Sequence, residues 1–474
     1  MSWTWQLLPR HTAVVKGCTR GCPEAVVRSS YNIPQESMTD SLRQKLTLSP
    51  QHSACVGTLC EEDTYPAWVE GHPPGYVSLP RAFGLHMFGL PGRDLRCHGD
   101  PLTSSSAMEL SSNVCLRDYQ EQAVCQIVST LRSDGATTLV AACGAGKTVM
   151  ALAVASTLGV RTAVLVHRSD LASQWEERTR QFLPSARIGR IQGNHAQEGD
   201  VVVVMMASLV ASGRTYPRGL LSSFGMVVVD ECHHLCARTF SKSMARLPAM
   251  WRVGLTATPV RKDGLGYALE WYLGPPCFRV DRDAGGSDTP TVRFVRALQG
   301  HRREIRMGVG RIAYTRMVTQ LVQDDDRNAL LASEVYRLLE ERPSRRGIVL
   351  SDRRKHLIAL YALLGGDNGE CCLYLGETGK KRKRDRDERA STKRCMLATV
   401  SLAEEGLDVP DLSFLVLATP KSEVEQCVGR ILRPLPDKPR PAIVDIWDSY
   451  SAFAGMKRRR EKYYIRAGFN IETH

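Results

Sequence analysis

The sequence has no long apolar run, and no stretch of it approaches the ~18 apolar residues that a membrane-spanning helix needs. Residues 1–10 contain no basic flank that leads into an apolar core, so they do not predict a secretory signal. No segment recurs at the period of a solenoid protein. From these absences we expect an intracellular protein that has neither a membrane partner nor a repeat architecture.

The 15 cysteines lack a repeating frame, which is not what a disulfide-stabilised secreted domain requires. Cys125, Cys277 and Cys395 lie inside apolar segments, and such positions are typical of buried free thiols in a reducing compartment. A zinc site remains an alternative near the N-terminus, although no histidines follow at the spacing of a zinc finger. Its ligands would come from two loose pairs, Cys18 with Cys22 and Cys55 with Cys60.

Acidic residues are fewer than basic ones: 50 Asp and Glu residues stand against 63 Lys and Arg residues, which gives a net charge of +13. Such a basic excess indicates a polyanionic partner such as nucleic acid, and the alternative is a soluble protein that is simply basic. Hydrophobic residues make up 43% of the 474 residues, which is enough for the cores of two or three domains.

The first 110 residues give the weakest pattern of the chain. Residues 1–36 contain Gly, Pro and Cys without a clear period, so we predict an irregular N-terminal extension there. Residues 37–110 contain short segments separated by turn residues, and we predict a small accessory region. Within that region, Tyr76–Phe88 is typical of a strand that enters a loop.

Short apolar segments alternate with helical segments from residue 111 to residue 280. The apolar segments are Thr137–Ala142, Thr162–Val166, Val201–Met206, Met226–Val229 and Arg252–Leu255, and the helical ones include Lys147–Leu158 and Asp170–Phe182. Continuous apolar strands that alternate with helices predict a parallel sheet that is covered on both faces. We therefore predict an α/β lobe over residues 111–280.

The pattern repeats after a polar stretch, residues 281–312, that we predict to be a linker. A helical segment around residues 313–341 comes next and begins a second lobe, 313–456, whose predicted strands are Gly347–Leu350, Cys395–Thr399, Phe414–Ala418 and Ala442–Ile446. Residues 457–474 are predicted as a basic tail that contains the helix-like segment Lys457–Arg466.

A glycine-rich loop, AACGAGKT, joins the first predicted strand of the 111–280 lobe to the helix that follows it. Glycines let the backbone N–H groups wrap a phosphate closely, and the helix N-terminus adds a favourable dipole. A lysine and a hydroxyl residue at the end of such a loop suit the β/γ phosphates and Mg²⁺. The predicted nucleotide-binding residues are Ala141, Ala142, Cys143, Gly144, Ala145, Gly146, Lys147 and Thr148, of which Thr148 would also contact Mg²⁺.

A second motif, the acidic sequence DECH, directly follows the apolar run Gly225–Val229. Ligands gather at strand ends of a parallel sheet, so we predict that Asp230 holds Mg²⁺ and that Glu231 deprotonates the attacking water. A metal site built from Cys232, His233, His234 and Cys236 is the alternative. We reject it because these residues follow an acidic strand end at the expected distance from a phosphate loop.

These two motifs resemble those of helicase superfamily 2, and further motifs of that superfamily follow in order over residues 110–450. They are Arg117–Gln120, His167–Leu171 with Gln174 and Trp175, Ser208, Leu255–Pro259, Ile348–Asp352, Ala398–Thr399 with Glu405–Pro410, and Gln426–Arg433. The segments GLTATPVRKDG and QCVGRILR are similar to those of XPB-type helicases and their relatives in large nucleocytoplasmic DNA viruses. The resemblance implies an α/β protein with two tandem recA-like lobes, each with a parallel sheet, preceded by a small N-terminal region.

The resemblance also implies roles for individual residues. It assigns nucleotide contacts to Gln120, Gly406 and Asp408, and catalytic roles to Lys147, Asp230, Glu231, His233, Gln426, Arg430 and Arg433. Nucleic-acid contact or coupling is implied for Arg168, Ser208, Thr256, Thr258, Arg261, Lys262, Asp263, Ser351 and Thr399. Alternatives stay open for three sets: surface ion pairs for Arg430 and Arg433, capping for Ser208 and Ser351, and a solvated turn for Arg261–Asp263.

One basic run, Lys380–Arg389, stands outside the motifs. A solvated surface helix or loop is the first interpretation, and a phosphate-contacting edge or a nuclear-import tract are the alternatives.

The function predicted from the whole pattern is an ATP- and Mg²⁺-dependent helicase or translocase that acts on DNA, with transcription or replication machinery as a candidate partner. An RNA helicase is the alternative with the same chemistry, and an inactive recA-like scaffold is the alternative from another class. A scaffold would not need intact residues at Lys147, Glu231 and Arg430, and all three are present.

Overall fold

A computed structural model describes residues 22–50, 64–70, 74–142, 144–211, 213–217, 219–236, 240–257, 264–280, 289–297, 304–306, 312–376, 380–405, 409–433 and 435–473. The chain divides into two compact units. Unit 1 comprises Met1–Ala141 with Gly146–Val280, and unit 2 comprises Ala142–Ala145 with Asp281–His474.

Unit 1 begins with a small mixed sheet. Its elements are β1 (Cys22–Val27), β2 (Tyr31–Pro34), α1 (Asp40–Lys45), β3 (Thr47–Leu48), β4 (Tyr65–Pro66), β5 (Val69–Glu70), β6 (Tyr76–Leu79), α2 (Arg81–Phe88) and β7 (Pro91–Asp94). Five strands form the sheet in the order β5-β6-β2-β1-β7, and β3 pairs with β4 separately.

The N-terminal sheet corrects two predictions. Part of the extension predicted as irregular, residues 22–36, forms β1 and β2, and the segment after β6 is the helix α2 rather than a loop. These strands have only four to six residues, and although they pair with each other, their other partners, β7 and β6, lie far along the chain, so local periodicity does not reveal them.

The rest of unit 1 is a parallel sheet with helices. Its elements are α3 (Asp118–Asp134), β8 (Ala136–Ala141), α4 (Lys147–Leu158), β9 (Thr162–Val166), α5 (Ser169–Phe182), β10 (Ile188–Gln192), β11 (His195–Ala196), β12 (Val201–Met205), α6 (Met206–Val210), β13 (Met226–Val229), β14 (Trp251–Thr256), α7 (Ala268–Leu273) and β15 (Pro276–Val280). The strand order is β11-β10-β12-β9-β13-β14-β8-β15, and only the β10–β11 pair is antiparallel. All residues of β8, β9, β12 and β13 are buried, which confirms the predicted parallel sheet with covered faces.

Two buried arginines join the small sheet to the parallel sheet within unit 1. Arg81 of α2 donates to the carbonyls of Ala249 (2.5 Å) and Met250 (3.1 Å). In the opposite direction, Arg252 of β14 donates to the carbonyl of Ser29 (2.6 Å) in the β1–β2 turn. Because a buried guanidinium requires partners for its N–H groups, these bonds make the N-terminal sheet an integral part of unit 1.

Unit 2 is a second parallel sheet with helices. Its elements are β16 (Thr291–Ala297), α8 (Tyr314–Val322), α9 (Asp325–Glu341), β17 (Arg346–Ser351), α10 (Arg354–Leu363), β18 (Cys371–Tyr374), α11 (Lys380–Thr392), β19 (Cys395–Thr399), α12 (Val400–Glu405), β20 (Leu412–Leu417), α13 (Glu425–Ile431), β21 (Ala442–Asp448), α14 (Ser451–Arg466) and β22 (Asn470–Thr473). The order is β18-β19-β17-β20-β21-β16-β22, and all its pairs are parallel.

Both ends of unit 2 differ from the predicted boundaries. The segment predicted as a linker contains β16, which pairs with β21 on one side and β22 on the other. The segment predicted as a basic tail belongs to the same sheet, because α14 leads into the edge strand β22. The predicted helix around residues 313–341 is two helices, and Asp324 caps the second by accepting a hydrogen bond from the Arg327 backbone N–H.

The described cysteines are free thiols, but their burial differs from the prediction. Cys395 is buried in β19, whereas Cys277 is half-buried and Cys125 is exposed. Cys125 lies off the buried face of α3, which contains Ala123, Val124, Ile127 and Val128. Of the four cysteines considered for zinc, only Cys22 is among the described residues. No helix in the described part of the chain has the length and hydropathy needed to span a bilayer.

Candidate functional site

The glycine-rich loop leaves the parallel sheet at the end of β8 and enters α4 at Lys147. Gly144 and Gly146 have φ values of +86° and +85°, a left-handed conformation that favours glycine. A Cβ atom at Gly146 would also collide with the Gln120 amide. The Lys147 ammonium donates to the Ala141 carbonyl (3.1 Å), so it lies beside the loop that is predicted to bind the phosphates.

Gln120 lies in the first turn of α3 and is buried beside this loop. Its Oε1 accepts a hydrogen bond from the Arg117 backbone N–H (3.0 Å), which fixes the amide orientation. The structure therefore brings Gln120 together with the phosphate loop, as the resemblance implies. Its contact with the adenine edge stays a prediction.

Asp230 follows β13 at the same edge of the sheet as the glycine-rich loop. Only β14 separates β13 from β8, so their carboxyl ends are about 10 Å apart. Asp230 is 9% exposed, its Oδ1 accepts from the Glu231 backbone N–H (3.0 Å), and no cation among the described residues pairs with it. The carboxylate of Asp230 and the half-buried hydroxyl residue Thr148 form a hard oxygen donor set of the kind Mg²⁺ prefers, so these residues fit the ion.

Glu231 has a strained backbone, with a φ of +44° that a non-glycine residue rarely adopts. Its Oε2 lies 3.4 Å from Nδ1 of His233, and that nitrogen is 3.2 Å from Oγ1 of Thr256 at the end of β14. Strain of this kind costs about 1–3 kcal/mol and is found at functional sites. The predicted base, His233 and the coupling threonine therefore form one contiguous group.

Three contacts at this site were not predicted from the sequence. The His234 ring contacts the rings of His167 and His233, with centroid distances of 4.2 Å and 4.3 Å respectively. The indole Nε1 of Trp175 donates to Oδ2 of Asp230 (2.8 Å). Trp175 and Asp230 are 55 residues apart, and no local pattern could have joined them.

The predicted nucleic-acid contacts have protein partners in this structure. Arg168 pairs with Asp170 (3.7 Å), and the buried Ser208 hydroxyl accepts from the Gly193 backbone N–H (2.8 Å). The buried Ser351 hydroxyl accepts from the Arg353 backbone N–H (3.1 Å) at the start of α10. For both serines these bonds favour the capping alternative, and phosphate contact stays a prediction. Thr399 is half-buried at the end of β19.

The predicted catalytic residues of unit 2 lie on or beside α13. Gln426, Arg430 and Arg433 are half-buried, and Nε of Arg430 donates to the Ala403 carbonyl (2.9 Å). Their role in hydrolysis stays a prediction. Seven predicted site residues lie outside the described residues: Cys143, Thr258, Arg261, Lys262, Asp263, Gly406 and Asp408.

Comparison with known proteins identifies both units. Residues 113–261 match the family "Type III restriction enzyme, res subunit", and residues 330–434 match the family "Helicase conserved C-terminal domain". The chain belongs to helicase superfamily 2. It carries the two helicase domains of that superfamily and is accordingly an ATP-dependent helicase-type enzyme that uses ATP and binds nucleic acid.

Individual relatives in this superfamily agree with the predicted resemblance. A mimivirus protein, "Putative ATP-dependent RNA helicase L396" of Acanthamoeba polyphaga mimivirus, is 26% identical over 94% of this chain and 84% of its own length. "Putative helicase 055L" of Frog virus 3 is 27% identical over 84% of this chain and 87% of its own. "Putative DNA 3'-5' helicase Rad25" of Halobacterium salinarum is 29% identical over 74% of this chain and 57% of its own.

Solved structures show the same fold. A type I restriction enzyme HsdR fragment from Vibrio vulnificus has a TM-score of 0.54 at 17% identity, covering 78% of this chain and 70% of its own. The S. cerevisiae protein Dbp5 has a TM-score of 0.52 at 16% identity, covering 75% of this chain and 89% of its own. The predicted α/β class with two recA-like lobes is confirmed.

Proposed function

We propose that this superfamily 2 enzyme is a Mg²⁺-dependent DNA helicase or translocase. The observation that carries the proposal is the arrangement of β8 and β13 around β14. It brings Lys147 of the phosphate loop and the Asp230 carboxylate to one edge of a parallel sheet. Among the described residues, no cation pairs with that carboxylate. That edge is where α/β sheets bind their ligands.

In the proposed reaction, the loop N–H groups and Lys147 bind the β/γ phosphates, and Thr148 and Asp230 hold the metal ion. When bound there, Mg²⁺ would supply positive charge to offset the negative charge that develops on the phosphoryl oxygens. Glu231 orients a water molecule and takes its proton as the water oxygen bonds to the γ-phosphorus. The bond to the β–γ bridging oxygen breaks at the same time. His233 contacts both Glu231 and Thr256. These two contacts are the proposed first step in the coupling of ATP hydrolysis to nucleic-acid binding.

DNA is the proposed substrate because one relative, at 29% identity, carries the name of a DNA helicase, and because a net charge of +13 suits a phosphate backbone. An RNA helicase is the second candidate, since the relative that aligns over 94% of this chain carries that name. We further propose an intracellular setting in which transcription or replication machinery is the partner.

The first test is steady-state ATPase activity with single-stranded DNA, duplex DNA and RNA of equal length. We expect DNA to stimulate turnover more than RNA does. Lys147→Ala is the matched negative control, because it removes the charge at the phosphates and should lower turnover by at least about 10²-fold on every substrate. Stimulation by RNA alone would replace DNA with the second candidate, and wild-type turnover in Lys147→Ala would refute the site itself.

A further inference from the structure

Trp175 is a buried tryptophan whose one polar atom is directed at the proposed metal ligand. Its side chain lies on α5 and is 2% exposed, and Nε1 donates to Oδ2 of Asp230 at 2.8 Å. The indole N–H is a donor only, so this position accepts no cation and supplies no charge. The same volume filled by an arginine would neutralise the carboxylate instead.

The hydrogen bonds of Asp230 are divided evenly between its two oxygens. Oδ2 accepts from the Trp175 indole, and Oδ1 accepts from the Glu231 backbone N–H. A carboxylate offers roughly four lone-pair positions, so about two remain for further ligands. Two donors on different oxygens also fix the torsion of the carboxylate. The group is therefore held in place by two donors that carry no charge.

From this geometry we propose that Trp175 is a positioning residue for the metal ion of the ATP site. It fixes the Asp230 carboxylate in the orientation that Mg²⁺, or water bound to Mg²⁺, requires. The inference rests on the proposed function, since it takes Asp230 as the metal ligand. Hydrogen-bond partners of metal ligands typically change metal affinity or activity by about 10–100-fold when they are removed.

The decisive variant is Trp175→Phe, which removes the N–H group and keeps most of the ring. We expect the Mg²⁺ concentration for half-maximal ATPase to rise by about 10-fold or more, while kcat at saturating Mg²⁺ stays near the wild-type value. Mn²⁺ binding to the protein–ADP complex, followed by electron paramagnetic resonance, should weaken by the same factor. ADP binding in EDTA should not change. A purely structural defect would lower kcat and ADP affinity at every metal concentration.

Trp251→Phe is the matched control, because Trp251 begins β14 next to Met226, at the other end of the same sheet. It should leave the Mg²⁺ titration unchanged. If Trp175→Phe does not fold, Trp175→Met takes its place, because its flexible apolar side chain fills the space without an N–H or O–H donor. Unchanged Mn²⁺ affinity in a folded Trp175 variant overturns the proposal.

The pair Asp230→Asn and Trp175→Phe/Asp230→Asn separates the inference from the proposed function. If Trp175 acts through Asp230, the double variant binds Mn²⁺ no more weakly than Asp230→Asn alone. Further weakening in the double variant means that Trp175 acts elsewhere and overturns the positioning role. If Asp230→Asn itself binds Mn²⁺ as tightly as wild type, the metal assignment of the proposed function is the part that fails.

Discussion

Buried aspartates occur at the ends of parallel strands in both units, and their partners differ. In unit 1, Asp230 after β13 accepts bonds from an indole N–H and a backbone N–H. In unit 2, Asp448 at the end of β21 accepts hydrogen bonds from Nε (2.7 Å) and Nη2 (3.1 Å) of Arg327. Asp445 of the same strand accepts two bonds of 2.7 Å from Arg460. Position in the fold alone therefore does not distinguish a metal ligand from a structural ion pair.

The hydrogen-bond donor to each buried carboxylate decides whether that carboxylate is available to a metal ion. A bidentate arginine neutralises the carboxylate and leaves it little to offer a metal ion. The pair also stabilises the arginine: burial lowers the pKa of Arg460, but Asp445 outweighs burial and the net pKa lies above its ordinary value. Arg252 in unit 1 is the opposite case, because it donates to carbonyls only and burial lowers its pKa to about 9. The donors to Asp230 are neutral, so no counter-charge among the described residues pairs with its carboxylate.

The largest effect should come from an arginine whose predicted role is catalytic. Arg430→Ala should lower ATPase turnover by about 10³–10⁵-fold, because an arginine at the transferring phosphoryl group contributes that much. Its thermal unfolding should stay close to that of the wild type. Turnover and a melting curve on one preparation test both parts. Wild-type turnover would place Arg430 with the structural arginines of unit 2.

Next in size is the removal of an arginine with a structural role. Arg327→Met should lower the free energy of unfolding of unit 2 by about 3–5 kcal/mol, because it leaves the Asp448 carboxylate buried without a counter-charge. Denaturant titration measures the loss. Arg327→Met/Asp448→Leu removes both charges and should regain most of it. Failure of the double variant to recover would mean that the arginine acts through packing or through its bond to the Ala418 carbonyl.

A smaller loss is expected at the arginine that joins the two sheets of unit 1. Arg252→Met leaves three carbonyls, those of Ser29, Met244 and Leu247, without this donor but strands no buried charge. We expect a destabilisation of about 1–3 kcal/mol and faster proteolysis of the N-terminal sheet. Limited proteolysis with mass spectrometry detects the cut sites. A loss as large as that in Arg327→Met would contradict the distinction between carbonyl and carboxylate partners.

The same distinction explains how much the sequence could predict. The buried strands of both parallel sheets were predictable because continuous apolar segments such as Thr162–Val166 need burial on both faces. The edge strand β22 could not be predicted from the sequence. Its residues are mostly polar, and its one pairing partner, β16, lies about 180 positions earlier in the chain. The motifs placed Lys147 and Asp230 after apolar strands, and in the structure both residues follow strands at one sheet edge, while their roles stay predictions. The Trp175 bond and the arginine partners of Asp445 and Asp448 depend on tertiary contacts, which residue patterns do not encode.

The same comparison of partners applies to the exposed cations of two basic helices of unit 2, α11 and α14. The run Lys380–Arg389 contains seven Lys and Arg residues and three acidic residues, and the structure confirms the helix that was part of its first interpretation, α11. Several of its cations have acidic neighbours on the same helix: Arg384 lies 3.5 Å from Glu388, and Arg386 lies 2.8 Å from Asp387. On α14, by contrast, Arg458, Arg459 and Lys462 are exposed, and no acid in the described ranges forms an ion pair with them.

The smallest effect should separate these two helices. Each cation that contacts a phosphate adds about 0.9 to the slope of log affinity against log salt. Arg458→Gln/Arg459→Gln/Lys462→Gln should therefore lower that slope by up to about 2–3, because these cations are not already engaged by carboxylates. The matched change on α11 is Arg384→Gln, because Glu388 already engages this guanidinium, and it should lower the slope by less per substituted cation. Fluorescence anisotropy with a labelled DNA at four or more salt concentrations measures both slopes. Equal changes per substituted cation would show that net charge matters and pairing does not. A larger change per cation on α11 would make the basic run the phosphate-contacting edge.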